Sequence, residues 1–162
     1  MKEKLIVLLI KHEGLRLHVY PDSKGLATIG IGRCLETKGL TIAECSYLNL
    51  GVSDKQSVIE KLTERGITKD EAFYLLNNDI DDVTNELIRK TGYFTELPEI
   101  VQMCLIDMAV NLGVAGLLDF KKTLNYISEG DYVSASVEML NSKWKNDVGD
   151  RAMELSRMIA SA

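Results

Sequence analysis

The chain has 162 residues, 46% of them hydrophobic and 27% charged, with a formal net charge of −5. That length supports one compact unit, or two small lobes sharing a helix, and leaves no room for two independent domains. The acidic balance, with no clustered basic face, argues against a nucleic-acid partner and against unassisted adhesion to an anionic surface, so no stable membrane association is expected.

The first predicted element is a helix over Lys2 to His12, from the spacing of its apolar residues. Its apolar run, Leu5 to Ile10, is far shorter than the roughly 18 to 20 residues that span a bilayer. No small-residue cleavage site follows it, so the expectation is a protein that stays in the cytoplasm of the producing cell until released by other means. Leu15, Leu17 and Val19 then alternate with Arg16, His18 and Tyr20, the two-residue period of a half-buried strand. Pro21-Asp22-Ser23-Lys24-Gly25 is turn chemistry, and Leu26 to Ile31 alternates again, with Ala27, Ile29 and Ile31 on one face and Thr28 on the other. A small antiparallel sheet follows from these three segments.

Beyond about Thr41 the chain reads as helical. Ser53 to Gln56 and Thr68 to Glu71 have the form of capping boxes, and Lys69 to Lys90 runs without proline or glycine, roughly 33 Å at 1.5 Å per residue. Gly92 is a plausible stop, and further helices are expected at Pro98–Leu112, Leu117–Ser128, Tyr132–Asn141 and Arg151–Ala160, punctuated by glycines. The class is α+β. The expected organisation is a single domain over 1–162: a sheet lobe at about 13–67, a linking helix at about 68–90, and a helical lobe at about 91–162 on which helix 2–12 packs. A monomer is expected, since no exposed apolar heptad or extended edge strand suggests an assembly. The three cysteines show no CxxC spacing and lie among apolar neighbours, which fits reduced core thiols rather than a disulfide frame or zinc site.

Glu13 stands where the first helix gives way to Gly14 and the strand, and Asp22 stands in the turn after it, so the strand can fold back and bring two carboxylates into different environments. Such a pair is what cofactor-free glycoside hydrolysis requires, and the Thr28 hydroxyl is placed to hold a water near Asp22. Each residue also has a blander reading: a solvated helix-end carboxylate, a turn aspartate accepting its own amides, a β-branched strand residue. Gly30-Ile31-Gly32 is not a dinucleotide fingerprint, because Leu35 occupies the third glycine slot and no strand-to-helix context surrounds it. His12 and His18 lack partners for a triad or a metal, and Trp144 reads as a core anchor of the helical lobe.

The string Glu13-Gly14-Leu15-Arg16-Leu17, Tyr20-Pro21-Asp22, Gly25 and Thr28-Ile29-Gly30-Ile31-Gly32 resembles the amino-terminal signature of the phage-type lysozymes, or endolysins. The resemblance continues through Gly66 to Ala72, Asn78-Asp79, Asn111-Leu112-Gly113, Ser142-Lys143-Trp144 and Asp150-Arg151-Ala152, covering nearly the whole chain in order. It implies an inverting muramidase acting on bacterial peptidoglycan without metal or cofactor. Glu13 would be the general acid, Asp22 the base that directs the attacking water, and Thr28 the residue that positions it. Gly32, Leu35, Asn111, Thr123 and Arg151 fall at substrate-binding or site-supporting positions by the same resemblance, with Arg151 paired to Glu13.

Three features depart from the family pattern. Arg33 stands where the family usually has a histidine paired with the aspartate matching Asp79, and an Arg33–Asp79 pair is expected in its place. Val110 replaces a cleft aromatic, and the net charge is acidic. These departures motivate a competing reading, a lysozyme-fold module that binds cell-wall glycan, or serves as a structural part of a phage or secretion apparatus, without cutting.

Overall fold

In the computed structural model, which describes residues 1–162, the chain opens with helix α1 (Lys2–Glu13). Leu5 and Leu9 are fully buried and Leu8 nearly so, the one-sided spacing of an amphipathic helix. Three strands follow, β1 (Arg16–Pro21), β2 (Ala27–Gly30) and β3 (Arg33–Cys34), in one antiparallel sheet of order β1-β2-β3. The alternation in Leu26–Ile31 predicts one buried face, carrying Ile29 and Ile31. The structure buries Thr28 as well, at 3% exposure, so both faces of this middle strand are covered. Strand β3 has only two residues, too few for any period to announce it.

Helices α2 (Ile42–Tyr47), α3 (Lys55–Arg65) and α4 (Lys69–Thr91) come next. The expected box at Thr68 is present: the Glu71 amide donates to Thr68 Oγ1 (3.1 Å) and the Thr68 amide to Glu71 Oε1 (2.8 Å). The box expected at Ser53 is replaced by a one-residue shift. Asp54 caps α3, its carboxylate accepting from the Ser57 amide (3.0 Å), because aspartate satisfies that orphan donor as well as serine does. A third box, Thr41 with Glu44, starts α2.

The chain divides into two compact units, Ile6–Asp79 and Met1–Leu5 with Ile80–Ala162, the dividing lines falling within α1 and α4. The core of the first unit includes Ile29, Leu35, Cys45, Leu48, Leu62 and Leu75. The second holds a short 3₁₀ turn (Phe94–Glu96), α5 (Glu99–Leu118), α6 (Lys121–Ser128), α7 (Tyr132–Leu140), α8 (Lys143–Val148) and α9 (Asp150–Ala160). The expected helix end at Leu112 is seen as a break inside α5, where Gly113 takes φ 76° and ψ 156°. Helix α8 was not expected; its six mostly polar residues show no periodicity, and it starts from Ser142, whose Oγ accepts the Lys145 amide.

α5 is long and apolar enough to cross a bilayer, yet just over half of its most apolar stretch is buried within the protein. It packs against α9 and carries the fully buried Asp107, the marks of a helix at the centre of a core. All three cysteines are free thiols; Cys45 and Cys104 are buried, whereas Cys34 is half-buried.

Candidate active site

Glu13 is the last residue of α1, and its carboxyl group lies against the turn between β2 and β3. A Cβ added to Gly32 would sit 2.9 Å from both Cδ and Oε2 of Glu13, and Gly32 itself takes φ +75°. Only glycine combines that left-handed backbone with so close an approach. Gly32→Ala therefore incurs the left-handed penalty of about 1–2 kcal/mol and displaces the Glu13 carboxyl. The expected outcome is roughly a 10²-fold loss of turnover, the scale set by misplacing a reacting group by about 1 Å. Turnover measured beside the urea midpoint checks this; unchanged turnover would show that the contact with Gly32 does not position Glu13.

Asp22 is held by the turn it heads. Its Oδ1 accepts from the amides of Lys24 (2.8 Å) and Leu26 (2.9 Å), and its own amide donates to the Leu26 carbonyl (2.9 Å). The same Leu26 carbonyl accepts from the Thr28 hydroxyl (2.9 Å), so Asp22 and Thr28 are tied through one residue. With its proton given to Leu26, the Thr28 oxygen retains lone pairs that accept from water.

Tyr20, paired across the sheet with Thr28, links the two carboxylates. Burial raises its phenol above the usual range, Glu13 adds to the rise, nearby Arg16 opposes it, and Asp22 adds a smaller increment. Glu13 and Asp22 thus lie within electrostatic reach of one hydroxyl.

The remaining expected positions are spread over both units. Leu35 is fully buried in the core of the first, its amide donating to the Ala27 carbonyl (2.8 Å) across the sheet. Thr123 on α6 is 2% exposed, so neither of these two side chains presents surface to a ligand. Asn111 is exposed on α5, and its Oδ1 accepts from Trp144 Nε1 (2.9 Å). Trp144 is buried, with the Phe120 ring edge-on at 5.9 Å, as its reading as a core anchor requires. Arg151 on α9 donates to Asp107 Oδ1 (2.8 Å) and to the Asp107 carbonyl (3.0 Å).

The expected Arg33–Asp79 pair exists, and it is part of something larger. Arg33 is 2% exposed; its Nε donates to Asp79, its terminal nitrogens to both Glu44 oxygens (2.8 and 2.9 Å) and to the carbonyls of Gly39 and Leu75. Every guanidinium hydrogen has an acceptor, which is what a buried arginine requires. Lys38 also reaches Asp79. Sequence reasoning missed Glu44; the available signal was the Thr41-x-x-Glu44 capping box, which places that carboxylate at a helix start. Burial pushes the Glu44 carboxyl up, but hydrogen bonds from Arg33, Asn78 and the Thr41 amide outweigh it and hold it at about 2.

A carboxylate with a depressed folded-state value stabilises the fold above its unfolded value and loses that contribution as pH falls through the folded one. Stability is therefore expected to fall by a few kcal/mol between about pH 4.5 and pH 2 on account of this one group. Urea unfolding of wild type and Glu44→Gln across that window tests it. The wild-type curve should be the steeper; parallel curves would refute the assignment.

A small sheet hung on a helix-end glutamate, followed by a long helix and a helical unit, is the arrangement of the phage lysozyme family, to which this chain belongs: residues 10–158 match that family. At the family level the protein is a glycoside hydrolase of muramidase type. It is 28% identical to a probable T4-type lysozyme 1 of Dictyostelium discoideum, over 91% of this chain and 88% of that one. A probable T4-type lysozyme 2 from the same organism is also 28% identical, over 86% and 84%. The pre-baseplate central spike protein Gp5 of Enterobacteria phage T4 is 31% identical over 94% of this chain, which spans only 27% of that protein.

Proposed function

We propose that the protein hydrolyses the β-1,4 bond between N-acetylmuramic acid and N-acetylglucosamine in bacterial peptidoglycan, with inversion and without a cofactor. Glu13 is the acid that protonates the leaving oxygen, Asp22 the base that takes a proton from water, and Thr28 the group that orients that water. The observation that carries this reading is the contrast between the two carboxyls. Glu13 rests against the Gly32 backbone at the end of a helix, whereas Asp22 is fixed in its turn by the amides of Lys24 and Leu26. Gly32 supports the site through its contact with the Glu13 carboxyl; Leu35, Asn111, Thr123 and Arg151 are site-supporting positions by the family resemblance. The producing cell holds the enzyme in its cytoplasm until lysis or a membrane lesion brings it to the wall.

The test is digestion of purified peptidoglycan with end-group analysis, and proton NMR of the first-formed anomer. Soluble fragments with reducing N-acetylmuramic acid of the α configuration support the reading; N-acetylglucosamine ends or a β product overturn the bond or the stereochemistry. A second reading has its own support in the likeness to the Gp5 spike protein: the chain serves as a wall-binding part of a larger assembly. Sedimentation with peptidoglycan without release of fragments would favour it.

A further inference from the structure

Arg16 is an exposed guanidinium held in place by something other than an acceptor. Its Cζ lies 4.4 Å from the centroid of the Tyr20 ring. In a regular strand residues four apart are separated by about 13 Å, at about 3.3 Å per residue. Here β1 is irregular: Arg16 pairs with Gly30 and Tyr20 with Thr28, so the stretch 16–20 of β1 faces the shorter stretch 28–30 of β2. Such a bulge bends the strand and re-aims its side chains, and it allows the guanidinium to reach the ring.

The contrast with the buried arginines is informative. Arg33 gives all its hydrogens to Asp79, Glu44 and two carbonyls, and Arg151 gives at least two to Asp107. Arg16 makes no side-chain hydrogen bond or ion pair, so its planar fork is oriented by the aromatic face and its donors remain available. It stands on the strand between Glu13 and Asp22, with both carboxylates and its own charge acting on Tyr20. A cation with uncommitted donors, beside two carboxylates that a polymer strand must approach, suits an anionic group on that polymer.

We infer that Arg16, braced on Tyr20, is a specificity residue that binds a carboxylate carried by the glycan strand next to the bond that is cut. The inference rests on the proposed muramidase reading for its substrate. Muramic acid supplies that chemistry in two ways, through its lactyl carboxylate when the stem peptide is absent and through the peptide's own carboxylates when it is present. A neutral N-acetylglucosamine oligomer supplies neither.

The experiment uses Glu13→Gln protein, so that binding is measured without turnover and does not depend on whether the protein cuts. Calorimetric titration compares three oligosaccharides of equal length: an N-acetylglucosamine oligomer, an alternating muramic acid oligomer stripped of peptide, and the same oligomer with stem peptides. At least one carboxylate-bearing ligand is expected to bind about tenfold or more tightly than the neutral one, the scale of a charge-assisted contact. Adding Arg16→Gln should erase that preference. Preference for the stripped oligomer identifies the lactyl carboxylate; preference for the peptide-bearing one alone identifies the stem peptide. A preference that survives Arg16→Gln, or no preference to begin with, overturns the inference while leaving the muramidase reading to its own digestion test.

Discussion

Glu13→Gln is expected to reduce turnover by about 10²–10⁴-fold, the share a positioned general acid contributes, with the unfolding midpoint close to that of wild type. A carboxamide has nearly the shape of the carboxyl group, so it can occupy the same space against Gly32, where any larger change would collide. It has no proton to give a leaving glycosidic oxygen at neutral pH. Asp22→Asn is the companion variant. Its carbonyl oxygen can still accept from the Lys24 and Leu26 amides, so the turn is retained, but the carboxylate that the proposed base requires is gone. Both variants should bind peptidoglycan while releasing few soluble fragments. Turnover in Glu13→Gln within about tenfold of wild type would move the acid elsewhere.

The largest effect on stability is expected from Arg33→Ala, at about 3–5 kcal/mol, because it leaves Glu44 and Asp79 without the cation that pairs them. At about 2–4 °C per kcal/mol for a chain of this size, the thermal midpoint should fall by roughly 10 °C. Lys38 stays with Asp79, so Glu44 is the more exposed to loss: its side chain is 2% accessible and depends on Arg33 for two of its contacts. Arg33→His, the residue usual in the family, should fall between. Imidazole has two donors where guanidinium has five, and it is cationic only when protonated. Beside these carboxylates its folded-state value rises, so its stabilisation is present below about pH 6.5 and lost as pH climbs through the raised value. Unfolding at pH 5 and pH 8 should show the deficit relative to wild type widening at the higher pH. A cost below about 1 kcal/mol for Arg33→Ala would mean the network contributes no more than an exposed pair.

Where the family resemblance implies a histidine, Arg33 meets the expected partner Asp79 with a different chemistry. Arg33 preserves the bond to Asp79 but recruits Glu44, Gly39 and Leu75 as well, because a buried guanidinium requires five acceptors. The result is a network without an imidazole's titration near neutrality, in which the lowered Glu44 carboxyl contributes to the loss of stability in acid.

Much of this protein was legible from residues close together in the chain. Thr68 with Glu71, Gly92 after α4 and the Pro21–Gly25 reversal act over a few residues, so their geometry follows from local hydrogen bonding and backbone preference alone. The candidate pair Glu13 and Asp22 was visible because both stand at the ends of such local elements, and the family resemblance distinguished them from the other acidic residues. Other features were decided only when distant segments met. Arg33 reaches Asp79 across 46 positions, Arg151 reaches Asp107 across 44, and Trp144 finds Asn111 across 33. Periodicity could not show that Thr28 is buried on the second face of β2, nor that Glu44 would leave solvent to meet Arg33. A residue's pattern with its neighbours fixes which way its side chain points; what lies there, and whether a charge is met by its opposite, depends on parts of the chain that local interactions do not reach.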